Sequence, residues 1–181
     1  LVIVHEWSRF TWTIPIASKS AEHTLDGFYH WWKHTFGLVR AKRALAGSDY
    51  RNDSHLDVAI LQVHTDHGLE FGGDFALKLL QWNICHSMSP PYQQHKNGIV
   101  EGRIRLLKDL VRVYYDTHGR CTAIDFAQYC SFAAAQLSMM PTASLTKRVP
   151  GSTPYSMLFG LQPRFEWLRS YGDEAYLHDP T

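Results

Sequence analysis

Paired cysteines, long apolar runs and an excess of one charge sign are all missing from this sequence, and each absence removes a class of protein. The 181 residues contain three cysteines, Cys85, Cys121 and Cys130. An odd number without paired spacing argues against a secreted disulfide scaffold and reads as free thiols in a reducing, intracellular compartment. No stretch of about 18 apolar residues occurs, and no basic segment followed by an apolar run opens the chain, so neither a membrane span nor a signal peptide is expected. Eighteen Lys and Arg stand against 17 Asp and Glu, a formal net charge of +1. Any nucleic-acid partner must therefore be met by a local basic patch. With 12 Gly, 8 Pro, 45% hydrophobic and 19% charged residues, the composition excludes collagen-like, coiled-coil and disordered chains and leaves a globular one. An initiating Met is lacking too: Leu1-Val2-Ile3-Val4 opens the chain already strand-like, and a piece of a longer product is expected.

What is present is an alternation of strands and helices. Leu1 to Val4 and Phe10 to Ile16 read as a hairpin joined by His5-Glu6-Trp7-Ser8-Arg9. Ser20 is placed to cap a helix in which Leu25, Phe28, Trp32 and Phe36 share one face, with Gly37 near its end. The polar stretch 40–56 reads as an exposed connection. Asp57 to His64 reads as a strand that delivers Asp66 at its end, Phe75 to Trp82 as a helix, and Ile84 to Met88 as another short strand. After the loop Ser89 to Lys96 comes the clearest helix, Gly98 to about His118. Val100, Ile104, Leu107, Val111 and Tyr114 form its apolar stripe; Glu101, Arg105, Lys108 and Arg112 share a polar face; and Gly119 is placed to close it. Ile124 to Leu137 reads as a helix buried on most sides, Thr153-Pro154 starts a short helix that Gly160 can close, and Ala175 to His178 reads as a final strand. Strands feeding helices after an opening hairpin predict an α/β layered domain.

Two carboxylates stand at element ends. Asp66 follows a predicted strand and Glu101 lies in the first turn of the strongest helix, with 34 residues between them. Such a pair can converge on a hard divalent cation, which prefers oxygen ligands and retains waters. It reads equally as a turn Asp and a solvated Glu that complements the helix dipole. His30 and His34 have the spacing of a two-histidine zinc face but no third ligand, and read as surface or packing residues. His64 and His67 flank Asp66 as another possible metal pair, and nothing in the sequence orients Cys85 as a nucleophile.

The words around the carboxylates decide between these readings. HTDHGLEF, residues 64–71, resembles the "TDNGGEF" signature of retroviral-type integrases, and SPPYQQHKNGIVE, residues 89–101, resembles their "SxPYTPQQNGVVE". The opening VIVHEWSRFTW is similar to "FIDDYSRFTW", and the late STPYSMLFGLQPRFEWLRSYGDEAYLH to "TPYELWTGKKPDLSHLRVFGCRAYVH". Four motifs in order resemble the integrase of copia-type LTR retrotransposons over almost the whole chain.

The resemblance implies a ribonuclease-H-like mixed sheet flanked by helices, with residues 1–119 as catalytic core and 120–181 as a mainly helical C-terminal extension. It implies an Asp-Asp-Glu triad that binds Mg²⁺ or Mn²⁺ and joins element DNA ends to target DNA by transesterification, in a homo-oligomer acting in the nucleus. Asp66 matches the second Asp and Glu101 the Glu. The first Asp lies on the central strand, upstream of the hairpin, and no residue here matches it. The sheet is accordingly expected to show a central gap, or a rearranged pairing of Leu1–Val4 with 57–64, and the chain by itself to be inactive or nearly so. Lys96, Asn97, Arg105 and Lys108 are the candidate DNA contacts, with Arg103 and Arg112 in the same basic cluster. Departures from the pattern, including His67 for Asn, Leu69 for Gly and Gly102 after Glu101, leave a second reading: a decayed or domesticated copy that only binds nucleic acid or a protein partner.

Overall fold

A computed structural model describes residues 1–45, 60, 62–89, 98–118, 122–142 and 147–165 of the chain. The hairpin forms as the sequence expects, with β1 (Val2–Val4) antiparallel to β2 (Thr11–Thr13) and Ile3 opposite Trp12. Its connection closes when the His5 amide donates to the Phe10 carbonyl (2.9 Å) and the Arg9 amide to the His5 carbonyl (2.8 Å). Ser8, fully buried, fills the inside of the turn through a 2.8 Å contact with His5 Nδ1.

Helix α1 (Ala21–Leu45) starts where predicted, the His23 amide donating to Ser20 Oγ. It does not end at Gly37. A mid-helix glycine costs only about 1 kcal/mol, and two residues further on Val39 is buried, 2% exposed, against Leu158 and Phe159. The apolar contact outweighs the glycine, so residues 40–45, expected in a connection, are helical. The remainder of the 40–56 segment lies outside the described residues, as do residues 57–59 and 61, the loop 90–97, Gly119 and the strand expected at 175–178.

Strand β3 (Gln62–Thr65), a 3-10 turn (Leu69–Phe71), α2 (Gly73–Gln81) and β4 (Cys85–Met88) follow in order. β3 and β4 pair in parallel, Val63 opposite His86 and Thr65 opposite Met88, a geometry that requires a crossover such as α2. Among the described residues the two strand pairs remain separate two-stranded sheets, with no ladder between them. They nevertheless share one core. Leu1 and Ile3 of the hairpin, Ile60 just before β3 and Val63 within it all pack on the cluster of Phe28, Phe75, Leu79 and Ile84. Phe75 and Leu79 are 1% and 0% exposed, and each fully buried side chain of this size contributes roughly 1.5–3 kcal/mol of transfer energy.

α3 (Gly98–His118) and α4 (Ala123–Met139) form a second core around Leu107, Val111, Tyr114, Tyr129, Ala133 and Ala134. Thr122 and Asp125 build a reciprocal capping box at the start of α4. The expectation that α4 is buried on most sides is corrected. Among the described residues it is covered by α3, by the short helix Pro154–Phe159 and by β2 through the Thr11 amide to Ser138 Oγ (3.1 Å), while Ile124 and Phe126 stand 71% and 53% exposed. The short α5 (Pro154–Phe159) has the predicted Thr153 cap, and Gly160 closes it in the left-handed conformation, φ 70°. Cys85 and Cys130 are free thiols. No helix among the described residues is long and apolar enough to cross a membrane.

Candidate active site

Asp66 is the first residue beyond β3. Thr65, buried at the strand end, takes its hydroxyl to within 2.9 Å of His86 Nε2 on β4. Parallel pairing stops there, and the next backbone turns outward, so the Asp66 side chain is exposed. Its Oδ1 accepts the Gly68 amide at 3.1 Å, which locks the start of the loop. That loop is anchored from below by Glu70, a largely buried carboxylate that pairs with Lys19 Nζ at 3.1 Å. A Cβ at position 68 would stand 2.5 Å from Glu70 Oε2, so the Glu70 carboxylate packs directly against this glycine.

Glu101 projects from the first turn of α3 and is exposed, like Arg105 and Lys108. With Ile104 these three line one shallow depression on the outer face of the helix. The spacing explains the grouping: residues at i, i+4 and i+7 fall on one side of an α-helix, the last about 10 Å along it from the first. Lys96 and Asn97 lie outside the described residues. Arg103, expected from the sequence in the basic cluster, is corrected: it is 5% exposed, turned inward. The helical repeat explains this too, because 103 is three residues after Val100 and four before Leu107 and so falls on the apolar stripe.

His64 bridges Ser87 Oγ (2.8 Å) and Ser89 Oγ (2.9 Å) across the parallel ladder. His86 is half-buried beside it, and burial first, then the His64 charge, holds its pKa below the ordinary imidazole value. These histidines are engaged in pairing β3 to β4. His30 and His34 lie stacked, 6.5 Å apart, on the exposed side of α1.

Whether the residues present suit a divalent cation is a matter of donor chemistry. Among the described residues no three His, Cys, Asp or Glu side chains gather into a metal cage. Mg²⁺ does not require one, as it keeps several waters and binds through one or two carboxylates together with substrate phosphates. Asp66 and Glu101, both exposed hard-oxygen donors at element ends, fit that description.

The catalytic core domain of bovine immunodeficiency virus (BIV) integrase superposes with a TM-score of 0.59 over 88% of this chain and 84% of that one, at 18% identity. The chain has the fold of an integrase catalytic core. A chain of the simian T-cell lymphotropic virus intasome in complex with PP2A regulatory subunit B56 gamma matches this fold over 98% of the present chain and 53% of its own length, with a TM-score of 0.63 and 15% identity. In sequence, the chain is similar to the retrovirus-related Pol polyproteins of transposons RE2 and RE1 of Arabidopsis thaliana, at 24% identity over 178 residues and 22% over 177. The chain spans about a tenth of the length of those relatives. No family model matches it.

Proposed function

We propose that this domain is the catalytic-core portion of a retrotransposon integrase, which processes element DNA ends and joins them to target DNA by metal-assisted transesterification. The observation that carries the reading is the placement of two carboxylates. Asp66 leaves the end of β3 and Glu101 the first turn of α3, both exposed, within the two motifs that resemble integrase signatures.

In this reading Asp66 and Glu101 hold Mg²⁺ or Mn²⁺. When bound, the ion supplies an activated water or hydroxyl and charge compensation at a phosphodiester. The Gly68 amide restricts the Asp66 carboxylate, and helical geometry fixes Glu101 relative to Arg105 and Lys108. Those two cations, with Lys96 and Asn97 of the preceding loop, hold the DNA backbone; the contacts position the strand without reading its bases. Activity in the nucleus and assembly into a homo-oligomer belong to the same proposal, as does the division into a core, 1–119, and an extension, 120–181.

The test is Mg²⁺-dependent strand joining by the protein translated from the complete reading frame that contains these residues. Asp66→Asn and Glu101→Gln should each lower joining at least a hundredfold while duplex DNA binding changes less than threefold. Full activity in either variant overturns the site. The second reading, a copy that binds but does not join, draws on Leu69, an apolar side chain 95% exposed in the Asp66 loop where integrases carry glycine. It predicts that the full-length protein binds DNA and joins none, with or without the two substitutions.

A further inference from the structure

The geometry points to an oxyanion site between the hairpin turn and α3, where Arg9 and Arg103 meet and Arg148 stands at the rim, built for a phosphate group. Nη1 of Arg9 and Nη1 of Arg103 are both buried without a hydrogen-bond partner. Arg103 is 5% exposed, yet a guanidinium stays charged at any physiological pH. Buried polar groups are nearly always paired, so a buried guanidinium with an orphan nitrogen points to an acceptor supplied from outside the chain.

Among the described residues the surroundings supply further positive charge. Arg9 is the charge that acts on Arg103, and Arg148 acts on Arg9. Arg148 is held there by its stacking over the Trp7 ring at 5.5 Å, on the same turn. Glu6 is an opposing charge on Arg9, so among the described residues positive charge predominates around the pair, which suits an oxyanion. The turn is also held for the purpose: Arg9 keeps a left-handed backbone, φ 63°, rare for a non-glycine residue, through its amide bond to the His5 carbonyl. Local strain of this kind concentrates where a side chain must be aimed. Planar guanidinium forks match the paired oxygens of a phosphate. Arg148 is exposed, Arg9 half-buried and Arg103 buried.

The phosphate can come from a free ion or from a DNA phosphodiester, and two measurements on the 181-residue chain separate these. In the first, thermal unfolding is followed in sodium phosphate and in sodium chloride at matched ionic strength. The chain should gain several degrees in phosphate with a saturating dependence. Arg9→Gln should weaken the apparent affinity at least tenfold, and Lys33→Gln on the far helix should leave it unchanged. Arg103→Met should melt at or above the wild-type temperature in chloride and show no phosphate response. An unresponsive wild type, or an Arg9→Gln variant that responds like wild type, overturns the site; the latter outcome decides even if Arg103→Met does not fold. In the second measurement, a duplex oligonucleotide is titrated. If phosphate displaces it more than matched chloride does, and Arg148→Gln abolishes the difference, the source is DNA; equal displacement assigns the free ion. Neither measurement involves Asp66 or Glu101, so this proposal and the integrase reading fail separately.

Discussion

Gly68 and Glu70 illustrate how a single position in this domain supports the one beside it. The 2.5 Å approach of a Cβ at 68 to Glu70 Oε2 means that in Gly68→Ala the Glu70 carboxylate must shift. We expect a stability loss of no more than about 1 kcal/mol, the scale of an exposed ion pair, measured by urea unfolding, and close to none when Glu70→Ala is already present. His86 carries a pH dependence of definite sign. Its folded pKa lies below the ordinary value, so near pH 6.5 the unfolded chain takes up a proton that the folded chain does not. Stability is full above that pH and declines as pH falls below it. Melting temperature should therefore drop between about pH 7.5 and pH 5.5, and His86→Gln should shrink the drop. At this scale the places of Asp66 just past a strand and of Glu101 in the first turn of a helix were legible. Arg103 was not, because a basic residue beside other basic residues reads as solvated; its helical register alone marked it as inward-facing.

Elements were legible where one periodicity ran without interruption. α3 appears at its predicted bounds, its 3.6-residue stripe unbroken from Val100 to Tyr114. α1 was misread at its end because Gly37 is a strong stop signal locally, whereas the contact that overrides it, Val39 on Leu158 and Phe159, joins positions more than a hundred residues apart. Nothing stands within 4 Å of a Cβ at Gly37, and the residue lies in mid-helix. Gly37→Ala should therefore stabilise the domain by about 1 kcal/mol, read as a rise in the chemical denaturation midpoint. A loss instead would mean that the helix ends earlier than it does here. The burial of α4 was overestimated because composition reports how apolar a helix is, not how many neighbours it has.

For the molecule as a whole, the fold class was legible from the alternation of strands and helices. Among the described residues, the separation of β1–β2 from β3–β4 was legible only through the resemblance, since no local pattern announces which strands pair. The two sheets share the Phe75 and Leu79 core without sharing hydrogen bonds, and the loop after β3 and the start of α3 are carried by different cores, Phe75 with Leu79 and Leu107 with Tyr114. The central claim is that Asp66 and Glu101, on those two bodies of packing, act as one cation site. Mn²⁺ titration of the isotopically labelled 181-residue chain, followed by paramagnetic broadening of backbone amides, tests this without recourse to activity. Signals of residues 66–68 and 98–102 are expected to broaden together at the same Mn²⁺ concentration, and Asp66→Asn and Glu101→Gln each to suppress broadening at both segments. Broadening at one segment that persists when the other carboxylate is removed would contradict it.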